Sequence, residues 1–378
     1  MPCLIEKLML NLRINRLQMK RWVRMVSAMG TQLTFTSARK IGFLDYQDDE
    51  LSATEVRVRT LFSGISTGTE MTAYRGTSPH LTKHWDAGLR LFQDGGEATG
   101  FPIEVIGYEE VGEVVEIGAG VTEVSIGDRI WGTWGHRTTA ILDQSHAAAR
   151  RLAPAADPRI GIFSHIGAVA LNAILDADIH VGETVVVFGL GVPGQLAAQF
   201  ARLNGAQVIV VDGIADRRDL AVTLGAELAL DPATDQVAEL VRQRTGGRGA
   251  DVVIEFTGNN HALQSAIRSV AYNSRVCVAG FFTGEARGLA LGEEFHHNRV
   301  QLVSSQISGP AAHLQHRWDR LRLNTTAIGL ATGGALDPLS LISHTVPFAD
   351  AADAYRLLDE SPAAALQVVL EMPAAVSA

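Results

Sequence analysis

The stretch that decides the fold is Val185-Val186-Val187-Phe188-Gly189-Leu190-Gly191-Val192-Pro193-Gly194, with Asp212 following at the end of a second apolar run, Val208-Ile209-Val210-Val211. Four β-branched or aromatic residues enter a loop spaced G-x-G-x-x-G, and an apolar-periodic segment (Leu196, Ala197, Phe200, Ala201, Leu203) leaves it. That order predicts strand, tight turn and helix. The three glycines answer three physical demands. Gly189 takes the tight turn, Gly191 lets backbone approach a pyrophosphate, and Gly194 lets the helix pack on the strand. Val192 and Pro193 open the helix, whose unpaired N–H groups face the anion. Asp212 lies roughly 20 residues past the loop, where a carboxylate accepts hydrogen bonds from an adenosine ribose and repels a 2′-phosphate. NAD is therefore the expected cofactor. Arg217 and Arg218 nearby keep NADP open, and Arg217 joins the candidate cofactor contacts.

Composition limits the remaining choices. A chain of 378 residues, 47% hydrophobic and 19% charged, can bury a large core and form two domains. Its formal net charge of −9 argues against nucleic acid or an anionic membrane as main partner, because both call for a basic face. A small-molecule substrate is expected instead. Cys3 and Cys277 stand far apart, the second inside an apolar strand pattern, so no disulfide is expected and a reducing cytoplasm suits the chain. No apolar run reaches the ~18 residues of a membrane span.

Outward from the loop, residues 171–306 alternate strands and helices. After the first two strands come Leu228–Leu230, Val252–Phe256, Val276–Val278 and Leu302–Val303, six strands of a doubly wound parallel sheet. Glu255 reads as structural and Thr257 as a contact on the nicotinamide side. His296 and His297 read as loop residues. Before this unit, from Gln32 to about Arg150, the pattern is short and β-rich, with Val56-Arg57-Val58-Arg59 alternating. A long connection between Arg75 and Phe101 carries His80, His84, Trp85 and Phe92, and reads equally as a pocket wall or a surface flap. Residues 308–378 contain helical runs and the strand Leu366–Leu370, and are expected to fold back onto the first unit. The basic segment 1–28 (Lys7, Arg13, Arg16, Lys20, Arg21, Arg24 against Glu6) reads as an extension outside the fold, a basic anchoring helix being the alternative.

Together these pieces resemble the medium-chain dehydrogenase/reductase superfamily of alcohol dehydrogenase-like proteins from about residue 35 onward. The resemblance rests on Gly64-Ile65-Ser66-Thr67-Gly68-Thr69-Glu70, Gly107-Tyr108-Glu109-Glu110-Val111-Gly112, Gly127-Asp128-Arg129-Ile130, the nucleotide loop, and His344-Thr345-Val346-Pro347-Phe348. The first run is most similar to the bacteriochlorophyllide a dehydrogenase-like branch. The resemblance implies an α/β protein with a GroES-like β-rich catalytic domain (29–170 and 307–378) completed around a Rossmann domain (171–306). It also implies a homodimer, paired through Gln301-Leu302-Val303-Ser304-Ser305.

The departures from that family shape the chemistry expected. Zinc-dependent members place metal ligands where this chain has Ser66 or Thr67, Tyr108, and Ser164 or His165. Tetrahedral zinc wants thiolate, imidazole or carboxylate, and only His165 qualifies, so no metal is expected. An alcohol's proton must then pass to a side chain, with Tyr108 and His165 the candidates. By the resemblance, Thr69 takes the family's hydroxyl relay position and Glu70 that of its supporting acid. The expected activity is zinc-independent, NAD(H)-dependent interconversion of a secondary alcohol and a ketone. Reduction of an activated C=C bond and a non-catalytic nucleotide-binding role are the alternatives.

Overall fold

The computed structural model describes residues 29–94 and 100–374. The basic segment 1–28, with Cys3, lies outside them. A hairpin of β1 (Met29–Ser37) and β2 (Lys40–Gln47) leads into β3 (Glu55–Ile65), the longest strand of the first unit. Its alternation places Val56 and Val58 in the core, while Arg57 and Arg59 reach Glu116 and Glu113 on the neighbouring strand at 3.0 and 2.9 Å. After β3 the helix Thr69–Arg75 ends on Gly76 in the left-handed region (φ 77°), where a glycine removes the Cβ penalty. The long connection that follows makes its own small hairpin, β4 (His84–Asp86) on β5 (Leu91–Gln93).

The chain then returns as β6 (Glu110–Ile117), β7 (Arg129–Gly132) and β8 (Thr139–Asp143). One edge of β3 pairs with β6. Its other edge is shared, β8 taking Glu55–Arg59 and the C-terminal strand taking Phe62–Ile65. The register matters for function. Ser63 lies opposite Glu110, so the loop after β3 and the loop before β6, which carry Ser66 and Tyr108, meet at the same end of the sheet.

The second sheet comprises β9 (Thr184–Phe188), β10 (Gln207–Val211), β11 (Leu228–Leu230), β12 (Ala250–Glu255), β13 (Val270–Val278) and β14 (Gln301–Ser304). All neighbours are parallel in the order β11-β10-β9-β12-β13-β14, the doubly wound arrangement expected from the six strand patterns. Every residue of β9 is buried, as a central parallel strand covered on both faces requires. The crevice at the switch between β9 and β12 opens at the carboxyl ends of the strands, where Gly189 and Thr257 lie.

The expectation that no apolar run reaches the length of a membrane span is corrected by the stretch 158–177, one helical run long and apolar enough to cross a membrane by length and composition. Nearly all of it is buried in the protein, because one face of a parallel sheet needs an apolar cover; the helix Phe163–Ala177 packs there beside Val192–Leu203 and Arg320–Thr332. Finally β15 (Ile342–Pro347) and β16 (Gln367–Glu371) join the first sheet through β3, and the helix Ala351–Glu360 between them packs on the Thr69–Arg75 helix. The C-terminal segment therefore packs over the helix that carries Glu70, directly after the Ser66 loop.

Candidate active site

On the cofactor side the three glycines differ in what surrounds them. Gly189 has φ +87°, and a Cβ there would meet Thr257 Cγ2 at 2.8 Å. A Cβ on Gly194 would lie 1.8 Å from the Gly189 carbonyl oxygen, so the helix can sit this close to the turn only without one. Around Gly191 nothing approaches nearer than Pro193 Cδ at 3.9 Å. The open side of the loop is thus at its middle glycine, which also caps the Val192–Leu203 helix with Pro193 in the first turn. That is the cradle a pyrophosphate needs.

Asp212 is tied to this loop from β10. Its Oδ2 accepts the Leu190 N–H at 2.6 Å and its Oδ1 the Ile214 N–H at 2.8 Å, leaving lone pairs on both oxygens for ribose hydroxyls. The neighbouring arginines are directed elsewhere. Arg217 donates to the carbonyls of Pro362 and Ala365 at 2.7 and 3.0 Å, and Arg218 spans the Asp212 carbonyl and the Asp231 carboxylate at 2.6 and 3.0 Å. Arg217 thus anchors the C-terminal segment to the nucleotide domain. Across the crevice, buried Glu255 accepts the Thr257 N–H at 2.6 Å and also its hydroxyl, and burial holds this carboxyl above the usual carboxylate range. Glu255 shapes the turn that holds Thr257 against Gly189.

On the catalytic side, Tyr108 donates its phenol proton to Ser66 Oγ, and the His165 ring meets the Tyr108 ring edge-on at 4.7 Å between centroids. Burial drives the phenol's pKa up, with Glu109 and Glu70 adding to the effect, so it stays protonated. His165 moves the other way: burial, with Arg320 nearby, lowers its imidazole to about 4, and the ring is neutral at physiological pH. The site thus pairs a hydroxyl donor chain with a neutral imidazole that can accept a proton. Thr69 lies exposed at the head of its helix and, like Ser66, interacts with the Tyr108 phenol. Glu70 is buried and accepts the Ser66 N–H at 3.0 Å.

Four residues behind this pair escaped sequence reasoning: Ser63, Glu110, His136 and Tyr355. His136 Nε2 lies 2.8 Å from Glu70 Oε2, and its Nδ1 lies 2.6 Å from Ser63 Oγ. Tyr355 donates to the same Glu70 oxygen at 2.5 Å, and Ser63 donates to Glu110 at 3.1 Å. Of the other candidates, Trp85 and Phe92 on the exposed β4–β5 hairpin cluster with His80 from the turn before it, Phe92 lying 5.0 and 5.1 Å between ring centroids from Trp85 and His80. His296 and His297 lie in the connection before β14, where His297 Nδ1 approaches the Glu293 carbonyl at 3.0 Å.

At the positions that the family resemblance assigns to metal donors stand the Ser66, Thr67 and buried Ser164 hydroxyls, the protonated Tyr108 phenol and the single His165 imidazole. Those donors do not fit tetrahedral zinc. Among the described residues no group of three or more His, Cys, Asp or Glu side chains is arranged to hold a metal ion.

Comparison with known proteins agrees with the two-part architecture. Residues 52–186 match the alcohol dehydrogenase GroES-like domain and residues 191–322 the zinc-binding dehydrogenase family. D-guloside 3-dehydrogenase of Escherichia coli K12 is 31% identical over 338 residues, covering 88% of this chain and 97% of the relative. L-threonine 3-dehydrogenase of Caldanaerobacter subterraneus is 29% identical over 283 residues, 66% of this chain and 77% of its own. Among solved structures, a short-chain alcohol dehydrogenase of E. coli CFT073 complexed with NADH superposes with a TM-score of 0.71 at 19% identity, covering 91% of this chain and 99% of that one. On the strength of the full-length match to the guloside dehydrogenase, the chain belongs to the medium-chain dehydrogenase/reductase superfamily of alcohol dehydrogenase-like oxidoreductases.

Proposed function

We propose that this protein is an NAD(H)-dependent oxidoreductase that interconverts a secondary alcohol and a ketone on a small molecule without zinc. The observation that carries the reading is the Tyr108–Ser66 hydroxyl pair beside neutral His165, at positions the family resemblance assigns to metal ligands. Two of the related enzymes are named for oxidation at carbon 3 of their substrates, which supports a secondary hydroxyl on a polyhydroxylated or otherwise polar substrate. The Gly64–Glu70 run supports membership of the bacteriochlorophyllide a dehydrogenase-like branch.

A bound nicotinamide supplies the hydride acceptor for the alcohol, or the donor for the ketone. Gly189, Gly191 and the Val192–Gly194 helix start hold the pyrophosphate, Asp212 the ribose hydroxyls, and Thr257 the nicotinamide side. Asp212 favours NAD because a 2′-phosphate would sit against its carboxylate, while Arg217 and Arg218 are engaged elsewhere. The alcohol's O–H proton passes either to a His165 ring nitrogen or through the Ser66 hydroxyl, with Thr69 completing the hydroxyl path toward solvent. Tyr108 donates its hydrogen bond to Ser66 and so orients that hydroxyl toward the reacting oxygen.

Assembly is proposed to follow β14, which ends the nucleotide-binding sheet and leaves Leu302 39% exposed on a free edge. The function is tested by turnover across secondary alcohols, sugars and enones with each cofactor. Tyr108→Phe and His165→Ala are then compared on the best substrate. Loss of the proton-handling group slows turnover by ~10²–10⁴-fold while NADH binding stays unchanged. Parent-like rates in both variants reject the assignment, and turnover of enones alone rejects alcohol chemistry.

A further inference from the structure

Beneath the Ser66–Tyr108 pair lies a chain of polar side chains that no proton-transfer step above uses. Ser63, Glu70, Glu110, His136 and Tyr355 are each at most 4% exposed, and they come from β3, the Thr69–Arg75 helix, β6, the turn before β8 and the Ala351–Glu360 helix. Buried polar groups this dense must satisfy one another.

The hydrogen-bond geometry favours a charged histidine. Ser63 has a single hydroxyl hydrogen and two close neighbours, His136 Nδ1 at 2.6 Å and Glu110 Oε1 at 3.1 Å. With a neutral ring bearing its hydrogen on Nε2, Nδ1 would claim that hydrogen and leave Glu110 Oε1 without it; with the hydrogen on Nδ1 instead, Nε2 could accept from the Tyr355 hydroxyl at 3.1 Å but would face the Glu70 carboxylate at 2.8 Å with no hydrogen between them. As an imidazolium, His136 donates from Nδ1 to Ser63 and from Nε2 to Glu70, while Ser63 donates onward to Glu110. Every donor then has an acceptor, including the Tyr355 hydroxyl, which gives its hydrogen to Glu70 Oε2 at 2.5 Å. The charges agree with this: burial opposes the charged ring, but Glu70 and Glu110 outweigh it, and the net direction is upward.

Glu70 is the point where this assembly touches the site. One of its oxygens holds Tyr355 and His136, and the other accepts the Ser66 backbone N–H at 3.0 Å. An amide N–H of this kind holds position and does not pass a proton, so the chain is a support and not a relay. We propose that His136, as a buried imidazolium, and Tyr355 are positioning residues: through Glu70 they fix the Ser66 loop so that its hydroxyl meets the Tyr108 phenol. Closure of the C-terminal helix over the first domain thereby sets the geometry of proton transfer. The inference rests on the function proposed above.

Tyr355→Phe is the direct test, since the ring keeps its packing against Phe35 and Tyr74, at 5.2 and 5.3 Å between centroids, and only the hydroxyl is lost. The expected result is a five- to tenfold fall in kcat with the KM for NADH unchanged, and no further fall when Tyr355→Phe is added to Tyr108→Phe. A role in folding alone would lower stability and leave kcat per folded molecule at the parent value. Parent-like kcat in Tyr355→Phe, or losses that multiply fully in the double variant, overturn the proposal. A second reading does not depend on turnover: the ¹⁵N resonances of the full chain at neutral pH, with His136→Gln used for assignment, should show a doubly protonated ring. A neutral His136 overturns the proposal. Parent-like turnover of Tyr108→Phe instead rejects the role proposed for Tyr108 in orienting the Ser66 hydroxyl, and the ring's protonation then decides the support by itself.

Discussion

Gly191 and Gly194 sit three residues apart in one loop, yet adding the same methyl group to each should have opposite consequences. At Gly194 the new Cβ would lie 1.8 Å from the Gly189 carbonyl oxygen and 2.9 Å from its carbon, about half an ordinary contact distance from a backbone atom that no rotamer change can move. Gly189 cannot give way freely either, because its φ of +87° is pinned between Gly194 and Thr257. Helix and turn must separate by more than an ångström, at a cost at or above the ~1–3 kcal/mol typical of overpacking. At Gly191 the backbone is at φ −62°, which alanine adopts freely, and no atom lies within 3.9 Å of the added group. The folded state then loses only the preference of a helix N-cap for glycine over alanine, about 1 kcal/mol or less. The methyl does, however, occupy the open side of the loop where a pyrophosphate must approach, so NADH binding should weaken at least tenfold, or about 1.4 kcal/mol. Urea unfolding and NADH titration of both variants provide the assay. Gly191→Ala binding NADH like the parent would refute the cradle, and Gly194→Ala as stable as the parent would refute the steric argument.

The remaining predictions concern pH, cofactor choice and assembly. His165, lowered to about 4 in the fold from an ordinary 6.5, refuses a proton that the unfolded chain accepts, so its contribution to stability is complete above pH 6.5 and is lost as pH falls through 4. The loss reaches roughly 3 kcal/mol near pH 4. Glu110, raised to about 7 by burial, has the opposite sign and is common to both chains when the parent is compared with His165→Leu. The parent's unfolding free energy minus the variant's should therefore fall by that amount between pH 7 and 4, and a pH-independent difference would contradict the burial argument. Asp212→Ser should move the ratio of NADPH to NADH affinity at least tenfold toward NADPH while weakening NADH itself, because the Leu190 contact goes too; tighter NADPH than NADH binding by the parent would contradict it. Light scattering should find a homodimer that Leu302→Lys converts to monomer, and a parent monomer at micromolar concentration would remove the β14 interface.

How much of this could be read in the sequence follows from how local the constraints are. The nucleotide loop, its helix and Asp212 lie within one strand-turn-helix-strand unit, where glycine spacing and apolar periodicity encode the geometry directly. The six strand patterns likewise pointed to a doubly wound sheet, because buried parallel strands read as continuous apolar runs. Tyr108 and Ser66 stood out only through their places in family motifs, and what joins them is the register of β3 against β6, which no short window contains. His136 and Tyr355 left no signal at all. They meet Glu70 across 66 and 285 residues of sequence, and a lone histidine after Gly135 or a tyrosine on an amphipathic helix reads as ordinary packing. The helical run over 158–177 shows the reverse failure, since its apolar content is the same whether a sheet or a lipid covers it.

The central claim, alcohol oxidation without zinc, is tested most directly by one paired measurement. Protein exhaustively treated with chelator, its zinc content counted by elemental analysis, is assayed for NADH formation on its best secondary alcohol before and after zinc is restored. The expected result is well under one zinc per chain and a rate equal to that of untreated protein both before and after zinc is restored. A rate that vanishes on chelation and returns with stoichiometric zinc would contradict it.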